Sequence, residues 1–312
     1  MRLIQAAEAQ LRERDRVTYQ AWGGRLTPAE WALREERLRA HAWSRAGLAG
    51  WLLMDQDEKV LASCETYRMQ SYLQGAPGTT LGVASVFCEP ALRRRGYASR
   101  LMALLGAHMQ RERAQAGILF SDVGAPLYER AGYVARPAGD LVFAPAGGDP
   151  AAAVDGLLDE ANMAAALASV PIPGSRFLVW PSAEQLDWHL ERSRTYATLF
   201  RRPRAPSCGA RAGQATAFWA ADLWKNRLQV LLIVAADASA TSALIEAARR
   251  EAARSGLDGV RLWLDPEAPD PGRAGLGAGR PAPREGSLPM IRAFAAGLAP
   301  EDWTLIPRGL WI

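Results

Sequence analysis

The stretch from Leu81 to Tyr133, LGVASVFCEPALRRRGYASRLMALLGAHMQRERAQAGILFSDVGAPLYERAGY, limits what this chain can become. Leu81–Cys88 is apolar and rich in β-branched residues, the pattern of a buried strand, and Pro90 stops it. A loop of Arg93, Arg94, Arg95 and Gly96 then opens a helix. Leu101, Leu104, Leu105 and Met109 fall on one face of that helix. Gly117 is read as its close, Ile118–Phe120 as the next strand, and Gly132 as the end of a second, shorter helix.

Arginines and a glycine at a helix start suit an anion. The first N–H groups of a helix lack intrahelical partners and sit at the positive end of its dipole. Gly96 lets backbone approach a ligand, and the small Ala98 does not block it. A pyrophosphate is the expected anion. The alternative is a solvated basic helix start, and three arginines alone do not decide between them.

The motif R-x-x-G-x-A, as Arg93, Gly96 and Ala98, resembles motif A of the GNAT acyl-CoA N-acyltransferases. Leu127–Tyr133 resembles a later motif of that superfamily. Three further segments, Leu61–Arg68, Gly82–Cys88 and Phe120–Gly124, are similar to the fungal lysine N6-acetyltransferase family. After Tyr133 only the layout and Phe218–Asp222 are similar. The resemblance implies an α/β (α+β type) fold, a GNAT core with a mixed, largely antiparallel sheet. It implies acetyl-CoA as acyl donor, a small-molecule amine as acceptor, and the ε-amine of lysine as the favoured one.

The chain has 312 residues, comfortable for two domains. Ala144–Pro150 is rich in Pro and Gly and is read as the boundary. Residues 1–148 are then the acetyl-CoA-binding catalytic domain, and 149–312 a second domain completing the acceptor site. The order of strand pair, helix and strand in 215–264 repeats that of 60–120. The second domain is therefore read either as a degenerate GNAT-like copy or as an unrelated α+β lid. Where the arginine loop would recur it carries Ala236-Asp237-Ala238-Ser239, and Asp237 repels a pyrophosphate.

Elsewhere, residues 1–22 read as a polar strand or turn leading to helices. Thr27 and Glu30 form a capping box ahead of a helix with Pro28 at its first position. Trp51–Met54 and Val60–Arg68 read as a hairpin, and Tyr133–Ala135 and Leu141–Phe143 as short closing strands. Ala151–Leu167, Ala183–Thr198 and Ser239–Ser255 are expected helices, and Arg201–Gln214 and Asp265–Pro289 loops. A helix from Met290 and a strand over Trp303–Ile312 end the reading.

Composition excludes several classes. The net charge is only +4, and arginines alternate with acids along most helices, so no nucleic-acid partner is expected. No apolar run is long enough to cross a bilayer, so no membrane partner is expected. The start lacks an uninterrupted apolar core, so no signal peptide is expected and a cytoplasmic location follows. Cys64, Cys88 and Cys208 have no metal spacing, so no metal and no disulfide framework are expected.

Acyl transfer to an amine sets the candidate roles. Arg93, Arg94, Arg95, Gly96, Tyr97, Ala98 and Ser99 are expected to hold the pyrophosphate. By resemblance, Val86, Phe87 and Cys88 lie where the strand bulges and exposes backbone to the thioester. A covalent role for Cys88 lacks a nearby histidine. Tyr128 matches the tyrosine that protonates the leaving thiolate, or else packs in the core. A lysine amine, with a pKa of about 10.4, must lose a proton. Glu65 is the first candidate base and Asp122 the second, though Glu65 is alternatively a charge partner of Arg68. Phe218, Trp219 and Asp222 are candidate acceptor contacts, or interdomain core. The rival functions are acetylation of a protein lysine or N-terminus, and a noncatalytic acyl-CoA sensor.

Overall fold

The computed structural model describes residues 1–148, 154–264, 273–277, 279–284 and 286–312. Its strands are β1 Arg2–Gln5, β2 Leu48–Met54, β3 Val60–Leu73, β4 Ala76–Phe87, β5 Ala116–Ser121, β6 Val134–Ala135, β7 Gly139–Phe143 and β8 Asp155–Leu157. The later ones are β9 Phe177–Val179, β10 Gly209–Ala212, β11 Ala215–Asp222, β12 Arg227–Val234, β13 Val260–Leu264, β14 Arg280–Pro283 and β15 Leu288–Ala293. The helices are α1 Glu8–Trp22, α2 Pro28–Ala40, α3 Ala42–Gly47, α4 Tyr97–Arg111, α5 Pro126–Glu129, α6 Glu160–Ser169, α7 Ala183–Leu199 and α8 Ala238–Arg254.

Two sheets organise the chain. The first runs β1-β2-β3-β4-β5-β15-β6, with β9 paired to β3. The second runs β14-β7-β13-β12-β11-β10-β8. Among the described residues, one pair of strands in each sheet runs parallel, β4 with β5 and β12 with β13. In each, a helix makes the crossover that a parallel pair requires, α4 in the first and α8 in the second.

The helix α4 buries Leu101, Met102, Leu105 and Met109 completely. They pack against Leu53, Cys64, Leu81, Val83, Leu119 and Met290 on one face of the first sheet. Each such side chain contributes about 1.5–3 kcal/mol on burial. The opposite face carries Tyr67, Met69, Ile118 and Ile291, covered by Leu38, Trp43 and Trp188 from α2, α3 and α7. The second sheet repeats this plan. Trp219, Leu228, Val230 and Leu262 face Leu244, Ile245 and Ala248 of α8. Phe218, Leu231 and Leu232 face Met163 of α6 and Leu186 and Leu190 of α7.

The reading of the chain end is corrected by long-range pairing. The expected helix from Met290 is the strand β15, antiparallel to β5 from Leu288↔Ser121 to Ala293↔Ala116. The expected strand over Trp303–Ile312 is instead irregular chain with one short 3-10 turn, Arg308–Leu310. Gly117 lies inside β5 and does not close α4, which ends at Arg111. The expected helix Ala151–Leu167 is the strand β8 followed by α6, and residues 149–153 lie outside the described residues. Ala210 and its neighbours in the expected loop Arg201–Gln214 form β10. Of the expected loop Asp265–Pro289, residues 265–272, 278 and 285 lie outside the described residues, while 280–283 and 288–289 are strand.

The chain does not divide cleanly at 148. β7, before that point, pairs with β13 in the second sheet. β15, far after it, completes the first sheet between β5 and β6. The first half thus lends β7 to the second sheet, and the second half lends β9 and β15 to the first.

Candidate active site

The parallel contact between β4 and β5 is short. It registers only Thr80–Val83 against Ala116–Leu119, and beyond Val83 the two strands part. At the same point β4 breaks register with β3. Glu65 pairs with Ala84 and Ser63 with Phe87, so Ser85 and Val86 stand opposite the single residue Cys64. This bulge is fixed by Ser85 at φ +54°, a left-handed conformation that L side chains adopt only when the surroundings impose it. The bulge lies at Ser85–Val86, the leading edge of the expected Val86, Phe87 and Cys88. β4 ends at Phe87, and the Cys88 thiol donates to Leu61 O at 3.3 Å. Burial pushes that thiol pKa up, which leaves it a poor nucleophile.

The splay opens toward the start of α4. Gly96 is the N-cap residue at φ +81°, with no side-chain cap and no atom within 4 Å of where a Cβ would stand. Arg93, Arg94, Arg95 and Gly96 are exposed, and Tyr97, Ala98 and Ser99 are half-buried. Arg93 Nε donates to Cys88 O at 3.0 Å, which folds the loop back onto the strand end. The arrangement leaves uncapped helix N–H groups beside three guanidinium groups, a fit for a pyrophosphate.

Tyr128 on α5 is 7% exposed and stands edge-on to Tyr133, with ring centres 6.3 Å apart. Burial pushes its hydroxyl pKa up to about 12, helped by the nearby Cys64 and Asp122. It packs in the same cluster as Cys64 and α4, on the α4 side of the splay.

Glu65 faces the other way, with Tyr67 and Met69 beneath α1 and α2. It is 7% exposed, and its carboxylate takes no hydrogen bond or ion pair among the described residues. Arg68, its alternative partner, instead faces Glu112 at 4.0 Å. The charges felt by and from Glu65 include Asp15 and Arg39. Asp15 is bound by both terminal nitrogens of Arg39, Nη1 to Oδ1 at 2.9 Å, yet burial still pushes its carboxyl pKa up.

Asp122 is placed differently. It is exposed, and its Oδ1 accepts the Ser287 backbone N–H at 2.7 Å and the Ser287 hydroxyl at 3.3 Å. Trp219 is 1% exposed inside the second core, its Nε1 donating to Ser207 O. Phe218 is fully buried on the opposite face of the same strand. Asp222 lies 3.8 Å from Arg227; burial raises its carboxyl pKa, but Arg192, Arg308 and Arg227 outweigh that and hold it low. These residues serve the second sheet, and their charged neighbours are not those of Glu65.

Sequence reasoning passed over Arg14 and Asp15, buried charges of α1. The spacing Leu11, Arg14-Asp15, Thr18 was the available signal, one helical face carrying charge where apolar residues are usual.

The second half keeps the same geometry without the anion loop. β12 and β13 register only at Leu228–Gln229 with Val260–Arg261, and β12 bulges at Leu231, which is left unpaired between Leu232, opposite Phe218, and Val230, opposite Trp219. A cleft of about 1180 Å³ opens there, lined by Val230–Val234, Leu262–Leu264 and the tail residues Leu305–Arg308. The start of α8 is closed, because the Asp237 carboxylate accepts the Ala240 N–H at 2.8 Å.

Two sheets, each with one splayed parallel pair, a bulged strand and a crossover helix, define a tandem acyltransferase fold. Residues 2–135 match the family model described as Acetyltransferase (GNAT) domain, and residues 156–308 the one described as LYC1 GNAT-like C-terminal domain. The chain belongs to the GNAT N-acetyltransferases and carries two domains of that type. Solved structures share the fold at low identity. One is Eis1 from Mycobacterium abscessus, 17% identical with TM-score 0.60, covering 94% of this chain and 74% of that one. Others are a probable N-acyltransferase from Enterococcus faecalis (14%, 0.59, 94% and 72%) and a GCN5-related N-acetyltransferase from Kribbella flavida (20%, 0.58, 94% and 72%). No curated protein matches the chain. No helix among the described residues is long and apolar enough to cross a membrane.

Proposed function

We propose that the first half transfers the acetyl group of acetyl-CoA to the primary amine of a small molecule, with the ε-amine of free lysine as the favoured acceptor. The observation that carries this reading is Glu65, a nearly buried carboxylate with no hydrogen bond or ion pair among the described residues, paired with Ala84 beside the bulge at Ser85–Val86. An ammonium group arriving there meets a carboxylate that no described side chain hydrogen-bonds. The lysine preference rests on the resemblance of Leu61–Arg68, Gly82–Cys88 and Phe120–Gly124 to the fungal lysine N6-acetyltransferases.

In this reading Arg93–Ser99 hold the pyrophosphate, and the pantetheine arm lies in the splay along Val86–Cys88. The amine, relieved of its proton by Glu65, attacks the thioester carbonyl carbon. The tetrahedral intermediate collapses as the C–S bond breaks; Tyr128 gives its proton to the departing sulfur, the nitrogen sheds its remaining extra proton, and that proton restores the Tyr128 hydroxyl, leaving amide and CoA thiol. Glu65 is only 7% exposed, which favours a slender amine over a folded protein surface. Asp122 is held by Ser287, so it is not assigned the base.

The test is release of CoA thiol from acetyl-CoA by the full-length protein across free amino acids, polyamines and peptides. Lysine is expected to give the fastest turnover, and Glu65→Gln to lower it by about 100-fold or more near neutral pH. Turnover confined to peptides, or unchanged in Glu65→Gln, overturns the reading.

A further inference from the structure

Arg14 is buried in an unusual way. It is 6% exposed, yet it makes no ion pair among the described residues. Its neighbour Asp15 is bound to Arg39. The hydrogen bond Arg14 does make runs from Nη2 to Ser85 O at 2.7 Å, across 71 positions of sequence. Its Nε is buried without a partner, and its guanidinium lies 6.0 Å from the Trp22 ring centre. A guanidinium removed from water and denied a carboxylate is costly, and here its charge is directed at one peptide carbonyl.

We propose that Arg14 is a positioning residue for acyl transfer: it holds and polarises the Ser85–Val86 peptide so that the Val86 N–H donates to the thioester carbonyl oxygen. This rests on the reading that acetyl-CoA lies along the bulge. No peptide bond among the described residues is cis, so the C=O and N–H of this unit point in opposite directions. A cation on the carbonyl side therefore aligns with the peptide dipole and strengthens the N–H on the far side. The same bond explains why Ser85 keeps φ +54° although it is not glycine. When the amine attacks, the electron pair of the carbonyl moves onto oxygen, and the strengthened N–H meets it. When the intermediate collapses, that pair returns and the C–S bond breaks.

The experiment uses the full chain with acetyl-CoA carrying ¹³C at the thioester carbonyl, and no amine. A hydrogen bond to that oxygen moves the carbonyl resonance downfield of free acetyl-CoA. The parent complex is expected to show this shift, Arg14→Met to lose at least half of it, and Arg14→Lys to retain most. Acetyl-CoA affinity is expected to stay within about threefold, because the bond acts on charge that develops later. With the best amine of the panel, Arg14→Met is expected to lower kcat by about tenfold or more with little change in KM for acetyl-CoA. A parent-like shift in Arg14→Met overturns the role of Arg14. Arg14→Gln, which keeps a neutral donor, decides in the same way if the Met variant does not fold. A parent complex with no shift at all overturns instead the placement of the thioester at the bulge.

Discussion

The carboxylate of Asp122 accepts the backbone N–H of Ser287 at 2.7 Å, and that bond joins the end of β5 to the start of β15. Gly286, at φ +72°, has no room for a side chain there, since a Cβ would lie 2.6 Å from Asp122 Oδ1. An anchor and a base respond differently to mutation. Asp122→Asn keeps an acceptor for Ser287 and is expected to keep most of the turnover. Asp122→Ala removes the acceptor and is expected to lower stability by about 1–2 kcal/mol in urea unfolding. A large loss of turnover in Asp122→Asn at parent-like stability would instead identify a base.

The fragment 1–148 is expected not to fold. Without β15, β5 has an unpaired edge, and the fully buried Met290 and Ile291 are missing from both faces of the sheet. Far-UV circular dichroism and gel filtration of the fragment check this. A monomeric, lysine-acetylating fragment would contradict it.

The arginine loop is expected to govern CoA affinity. Replacing Arg93 and Arg95 together by Glu is expected to weaken CoA binding at least tenfold, about 1.4 kcal/mol, by calorimetry. Both side chains are exposed, so the fold is expected to survive. Unchanged affinity would remove the pyrophosphate from this loop.

Tyr128 is expected to act on the chemical step. Tyr128→Phe keeps the ring against Tyr133, and a fall of about tenfold or more in single-turnover rate with CoA affinity unchanged marks a lost donor. Because burial holds the hydroxyl pKa up at about 12, the donor form persists through mildly alkaline pH. Rising pH removes the donor only on approaching that value. The parent rate is therefore expected to show no decline centred near pH 10, the usual tyrosine range. A decline there that vanishes in Tyr128→Phe would place the hydroxyl in water.

One CoA per chain is expected. The N–H groups at the start of α8 are served by Asp237, whose charge also opposes a phosphate. A calorimetric stoichiometry of two would contradict this.

The sequence displayed the parts of the site that depend on local rules. Arg93–Gly96 before a helix, the face Leu101–Leu105–Met109 and the capping box at Thr27 all follow from neighbours within a few residues. Partnership across the chain was not displayed. Met290-Ile291-Arg292-Ala293 followed by Phe294-Ala295-Ala296 has the composition of a helix, and only pairing with β5 makes it a strand. Arg14 and Ser85 are each ordinary in their own segments. Their meaning arises from a contact between α1 and the bulge that no local pattern encodes.

The reciprocal loan of β7 and β15 bears on how the protein matures on the ribosome. The first sheet includes a strand that ends at Ala293 of a 312-residue chain. The catalytic half therefore cannot reach its final form when its own residues have emerged. It waits, with one edge bare, while nearly all of the second half is made. During that interval β5 is open to a strand from another nascent copy, so swapped dimers are the characteristic hazard of this architecture.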